Sequence, residues 1–152
     1  MRIDLNMANM QAKQMQSQTG DLRDARHKLM SFGNELNNHW RGQEMTGINN
    51  AVDNIQTRLA SSIVELDEIA ALIMPAAQEV RRLEDLADAR AMLQREETNV
   101  LNMQRAFDHA GRQHAINPTA FTQTALNTAQ RNLNNAIQLR NEAAARVQAF
   151  MR

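Results

Sequence analysis

Apolar residues recur along this chain at alternating steps of three and four, interrupted at two places. The first run reads Ala8, Ala12, Met15, Thr19, Leu22, Ala25, Leu29, Phe32, Leu36, Trp40. Such steps lay one stripe along an α-helix that packs lengthwise on another helix. The spacing predicts a first helix over about 6–38. Gly20 falls inside it, at a local cost of ~1 kcal/mol. The Gln-rich stretch from Met10 to Gln18 suggests a frayed or partner-dependent first third. A second run, Met45, Ile48, Val52, Ile55, Leu59, Ile63, Leu66, Ile69, Ile73, predicts a helix that starts near Gln43 or Glu44.

The segment between them, Asn37-Asn38-His39-Trp40-Arg41-Gly42, reads as a turn. Asn and Gly tolerate backbone angles that other residues avoid. Two helices joined so briefly form an antiparallel hairpin. Pro75 removes one helical hydrogen bond and crowds the carbonyl four residues back. No Gly, Asn, Ser or Asp stands beside it, so the expectation is a kink in a continuing helix. The pattern resumes through Val80, Leu83, Ala87, Leu93, Val100, Met103 and Phe107.

A second turn is expected at Gly111 to Asn117, with Asn117 as cap and Pro118 at the first helical position. The last helix should then turn Phe121, Ala125, Ala129, Leu133, Ala136, Leu139, Ala143, Val147 and Phe150 inward. The expected fold is all-α: a long hairpin over 1–110, kinked at Pro75, and an amphipathic C-terminal helix over 111–152 that packs on the hairpin or on a partner. The product is a three- to four-helix bundle or rod. It cannot bury every apolar face, and partner helices are the usual remedy.

Composition agrees. Of 152 residues 43% are hydrophobic but only 3% aromatic, so Leu, Ile, Val, Met and Ala must build the core. Those are helix-core residues more than sheet residues. Five Gly and two Pro are too few for the turns of a β-sandwich. Seventeen basic and seventeen acidic residues cancel, so no general attraction to nucleic acid or anionic membrane is implied. After Asp108 the charge turns mildly basic, with Arg112, Arg131, Arg140, Arg146 and Arg152 against Glu142. A solvated face explains this more simply than an acidic partner does. The start of the chain does not read as a secretory signal peptide, and no run is long enough to span a membrane.

Candidate chemistry is sparse. The absence of Cys excludes disulfides and thiolate metal sites. His109 and His114 are five apart and do not share a helical face, and no HExxH occurs. Glu84-Asp85 and Glu96-Glu97 are sequence neighbours, which diverge on a helix and read as solvated face. Gly42 and Gly47 are isolated, so no phosphate loop forms, and Ser61-Ser62 lie mid-helix. No metal, cofactor or enzymatic activity is expected. Trp40, the single Trp, either staples the hairpin end or anchors a docking surface at its tip. Gly42 lets the chain turn tightly.

Trp40-Arg41-Gly42 resembles the W-x-G signature of the WXG (Esx-like) proteins of bacterial type VII secretion. As in that family, it lies near residue 40 between two amphipathic helices. The resemblance covers roughly residues 1–90, with Trp40 and Gly42 as the motif positions. It implies a hairpin that dimerises with itself or a paralogue, is exported as a folded pair, and is handled by a secretion ATPase. The protein would reside in the bacterial cytoplasm before export, then outside or at the cell surface. Leu29, Phe32, Leu36, Ile48, Val52 and Ile55 are the candidate partner-binding residues. Many members or their partners end in Y-x-x-x-D/E, whereas this chain has no Tyr; Val80 with Glu84 has the spacing without the ring. The added long helix is similar to accessory proteins that pair with the N-terminal domain of an LXG-type toxin. That similarity implies a targeting partner or chaperone. The residues by themselves point to a non-catalytic helical hairpin that binds other helices; the alternative is a self-assembling coiled-coil or helical-bundle protein unrelated to secretion, in which W-R-G is coincidence.

Overall fold

The computed structural model describes residues 2–151. Met1 and Arg152, the latter one of the arginines of the basic C-terminal stretch, lie outside the described residues. The described chain holds three helices and no strand: α1 (Leu5–His39), α2 (Glu44–Ile116) and α3 (Ala120–Phe150). It divides into two compact units, Met1–Val80 and Arg81–Arg152. Helix α2 supplies one arm of each. Pro75 sits inside α2 without ending it.

In the first unit, α1 starts on Asp4, whose carboxylate accepts from the backbone N–H groups of Asn6 and Met7. Such a cap satisfies donors that the first helical turn leaves open. The helix then packs antiparallel on α2. Asn37 and Asn49 exchange a reciprocal pair of amide hydrogen bonds at 3.0 Å each. Gly33 lies against Val52. Farther from the turn, Arg23 forms an ion pair with Asp67. As the α1 number falls, the α2 number rises, which fixes both direction and register.

Most of the buried and half-buried residues follow a seven-residue repeat on both arms, with half-buried Gly20, Ile48, Ala60, Asp67 and Met74 beside it; the residues of the repeat are these. On α1 they are Leu5, Ala8, Ala12, Met15, Thr19, Leu22, Leu29, Gly33 and Leu36. On α2 they are Met45, Asn49, Val52, Gln56, Leu59, Ile63, Leu66, Ala70, Ile73 and Ala77. This is a coiled-coil seam. Several expected core residues fall one position off it. Phe32, Ile55 and Ile69 are exposed, while Gly33, Gln56 and Ala70 take the seam beside them. Gly33 and Ala70 are small and let the two backbones approach closely. Thr19, fully enclosed at 0% exposure, turns its hydroxyl back onto the Met15 carbonyl at 2.9 Å.

The second unit repeats the plan with α2 from Arg81 onward and α3. His114 Nδ1 meets Thr122 Oγ1 at 3.0 Å, Arg146 meets the Met92 sulfur at 3.7 Å, and Arg82 donates to the Phe150 carbonyl. These contacts again run antiparallel. The α3 seam is Thr122, Leu126, Ala129, Leu133, Ala136, Arg140, Ala143, Val147 and Phe150, every step three or four in strict alternation. Phe121, Ala125 and Leu139, expected inside, are exposed; Phe121 reaches 82%.

The second turn also differs from expectation. Gly111 is helical, and α2 continues to Ile116. Thr119, not Asn117, caps α3, through a reciprocal box in which Thr119 and Thr122 each satisfy the other's backbone N–H. A threonine at both ends of the box replaces the usual Glu or Gln, which hid the signal. Pro118 lies ahead of the cap, outside the helix.

Candidate docking surface on the N-terminal hairpin

The hairpin of the first unit has two edges flanking its seam, and they differ in chemistry. One edge carries the Arg23–Asp67 ion pair and the Asn37 amide. The other is apolar. Along α2 it presents Ile48, Ile55, Ser62, Ile69 and Ala76 at seven-residue intervals, with Leu72 beside them at 65% exposure. Along α1 the same seven-residue column presents Gln11, Gln18, Ala25, Phe32 and His39, so the apolar character comes mainly from α2. Isolated exposed apolar residues are ordinary, but a row aligned on one edge is the pattern of a docking site.

The six partner-binding candidates from the sequence divide accordingly. Leu29, Leu36 and Val52 are half-buried in the hairpin's own seam, and Gly33 lies on Val52. Phe32 and Ile55 are exposed on the apolar edge, and Ile48 is half-buried at its end. Sequence reasoning missed the part that Ile69, Leu72 and Ser62 play in the same edge. The seven-residue spacing from Ile55 was the available signal.

At the tip, α1 ends with Trp40 as its C-cap, the Trp40 N–H donating to the Leu36 carbonyl at 2.8 Å. Asn37 and Asn38 are helical rather than in the turn. No residue between the helices, Gly42 included, has a positive φ. The backbone-freedom account of these residues is therefore corrected. Space is what Gly42 provides. A Cβ built there would sit 2.9 Å from Trp40 Nε1 and 2.6 Å from Glu44 Oε2. The indole lies over Gly42 because no side chain intervenes. Trp40 itself stays 52% exposed.

Gly42→Ala should accordingly leave the fold in place, since the Glu44 carboxylate can swing aside and the half-exposed indole can rotate away. A stability loss within ~1 kcal/mol is expected, with the Trp40 emission maximum shifted as the indole is displaced. Chemical denaturation followed by circular dichroism, beside emission spectra, checks both; a loss of several kcal/mol would mean that the turn itself depends on Gly42.

Among the described residues no group of three or more His, Cys, Asp or Glu side chains gathers as a metal site would require, and no helix is long and apolar enough to cross a membrane. In the second unit a shallow groove of about 360 Å³ opens between Met103 and Ala106 on α2 and Ala125, Thr128 and Asn132 on α3, with exposed Phe121 at its margin. Comparison with known proteins finds no matching family model, no matching curated protein and no matching solved structure.

Proposed function

We propose that the protein is a non-catalytic helical component of a bacterial type VII secretion system, exported itself or acting as targeting partner and chaperone for a larger toxin. Its work is the docking of other helices, a paralogue, a toxin's helical N-terminal domain or itself, on the N-terminal hairpin. The observation that carries the reading is the apolar edge formed by Phe32, Ile55, Ile69 and Leu72 on a hairpin whose tip packs Trp40 over Gly42. The edge accounts for binding, and the tip matches the W-x-G pattern of the family that the sequence resembles. A W-x-G turn and a bend at Pro75 belong to the same reading.

The test pairs assembly with export. Light scattering on size exclusion would be run for the chain alone and for the chain co-expressed with the small helical proteins and the large toxin encoded beside it. A defined complex that Ile55→Asp dissolves supports docking on this edge. Trp40→Ala is expected to keep its helix content yet lose export. A variant that folds, assembles and is exported like the parent chain would reduce W-R-G to coincidence and favour a structural bundle.

A further inference from the structure

A strong donor and a weak acceptor meet near the open end of the C-terminal unit. Arg146 Nη1 donates to the Met92 sulfur at 3.7 Å. Among the described residues the guanidinium has no other hydrogen-bond or ion-pair partner. An arginine keeps its charge and offers several N–H donors, whereas a thioether sulfur accepts weakly. The contact therefore leaves most of the donor's capacity unused. One turn farther along α3 the Phe150 carbonyl accepts from Arg82, so two arginine contacts tie the end of α3 to α2. Met92 is 41% exposed and Arg146 is exposed as well, so a small solute reaches the sulfur without opening the seam.

We propose that Met92 is a site of reversible methionine oxidation, and that its sulfoxide locks the end of α3 onto α2. The oxidant is a hydroperoxide. A sulfur lone pair forms the S–O bond as the peroxide O–O bond breaks. The sulfur loses two electrons, and hydrogen peroxide, which gains them, leaves as water. The lone pair that faces Arg146 is engaged, so the oxygen enters through the other one, and rotation about the Cγ–Sδ bond turns it toward the guanidinium. A sulfoxide oxygen is a far better acceptor than a thioether, and its bond to a guanidinium is charge-assisted. Oxidation of a methionine inside a core disrupts packing. At this exposed rim no buried contact is given up, so the sign reverses and the modified side chain holds better than the native one. Methionine sulfoxide reductases restore the thioether, which makes the lock reversible. Nothing in this proposal depends on what docks at the N-terminal hairpin.

The test uses the full chain. Dilute hydrogen peroxide is applied to the parent and to Arg146→Leu, and peptide mass spectrometry follows each methionine. Met92 is expected to oxidise along with exposed Met7 and Met10 and ahead of half-buried Met103. At that dose, amide hydrogen exchange over residues 144–150 should slow about threefold in the parent, the size of effect that a surface hydrogen bond gives. Treatment with methionine sulfoxide reductase should return it to the starting rate, and Arg146→Leu should show no slowing. Met92→Gln places a permanent amide oxygen on a side chain of similar length. It should slow the same amides without any oxidant, and Met92→Leu should not. A Met92 that stays reduced while Met7 and Met10 are oxidised overturns the site. Exchange at the end of α3 that is unchanged or faster after oxidation, or that slows equally in Arg146→Leu, overturns the lock.

Discussion

Thr19→Asp is expected to unfold the N-terminal hairpin. Thr19 is the most enclosed side chain of the seam, at 0% exposure, and its hydroxyl bonds only to the Met15 carbonyl one turn back. That carbonyl belongs to the helix's own ladder, so the hydroxyl is satisfied without any polar partner across the seam. A carboxylate at the same place would be desolvated with nothing opposite to receive it. Such burials cost several kcal/mol, a large part of the ~5–15 kcal/mol that holds a typical domain. Thr19→Val, of the same shape, removes only the local bond and should change stability by less than about 1 kcal/mol. Urea melts of the two variants make the comparison. Equal losses would mean that the hydroxyl has a role beyond its own helix.

The second large effect lies in the C-terminal unit, where two substitutions of similar chemistry should part widely. Leu133 is 5% exposed at the centre of the α3 seam, and Phe121 is open to solvent near the start of the same helix. Leu133→Ala should cost about 2–4 kcal/mol, the range for a buried leucine whose cavity only partly closes. Phe121→Ala should stay within about 0.5 kcal/mol, as surface changes do. Thermal melts of both variants check the contrast. A costly Phe121 change would show that its ring is covered in solution, by a partner or by a second copy.

That contrast also locates what the sequence could and could not disclose. The three helices were legible, because steps of three and four persist for many turns and because breakers cluster near residues 40 and 117. The facing of those helices was less so. The largest apolar residue nearest each turn was expected inside, which put Phe32, Ile55, Phe121 and Leu139 in the core. A two-helix seam instead favours residues that let the backbones close in, and it takes Gly33, Ala70 and Thr122. The bulky neighbours are left one position out, along the edges. Half-buried Arg140 and Gln56 occupy seam positions because long side chains can bury their stems and keep their polar ends in water. Phe32 and Ile55, candidates for partner contact, are exposed on the apolar edge, whereas Ile69 was assigned to the core and Ser62 carried no apolar signal. At the tip, Gly42 was expected to let the chain turn tightly. Gly42 is needed for room under the indole, and unusual backbone angles play no part.

The placement of Trp40 has a spectroscopic consequence. With one Trp and no Tyr, the chain's near-ultraviolet absorption and emission come almost wholly from a single ring at one end of one hairpin. The probe is local. Fraying of the last turn of α1 would change its signal while both seams remain intact, so a fluorescence melt can precede the loss of helix seen by circular dichroism without any folding intermediate. Coincidence of the two curves is the ordinary test of two-state unfolding. For this protein, disagreement between them would report on the loosening of a tip, and a blue shift on mixing with a partner would mark the moment that tip is covered.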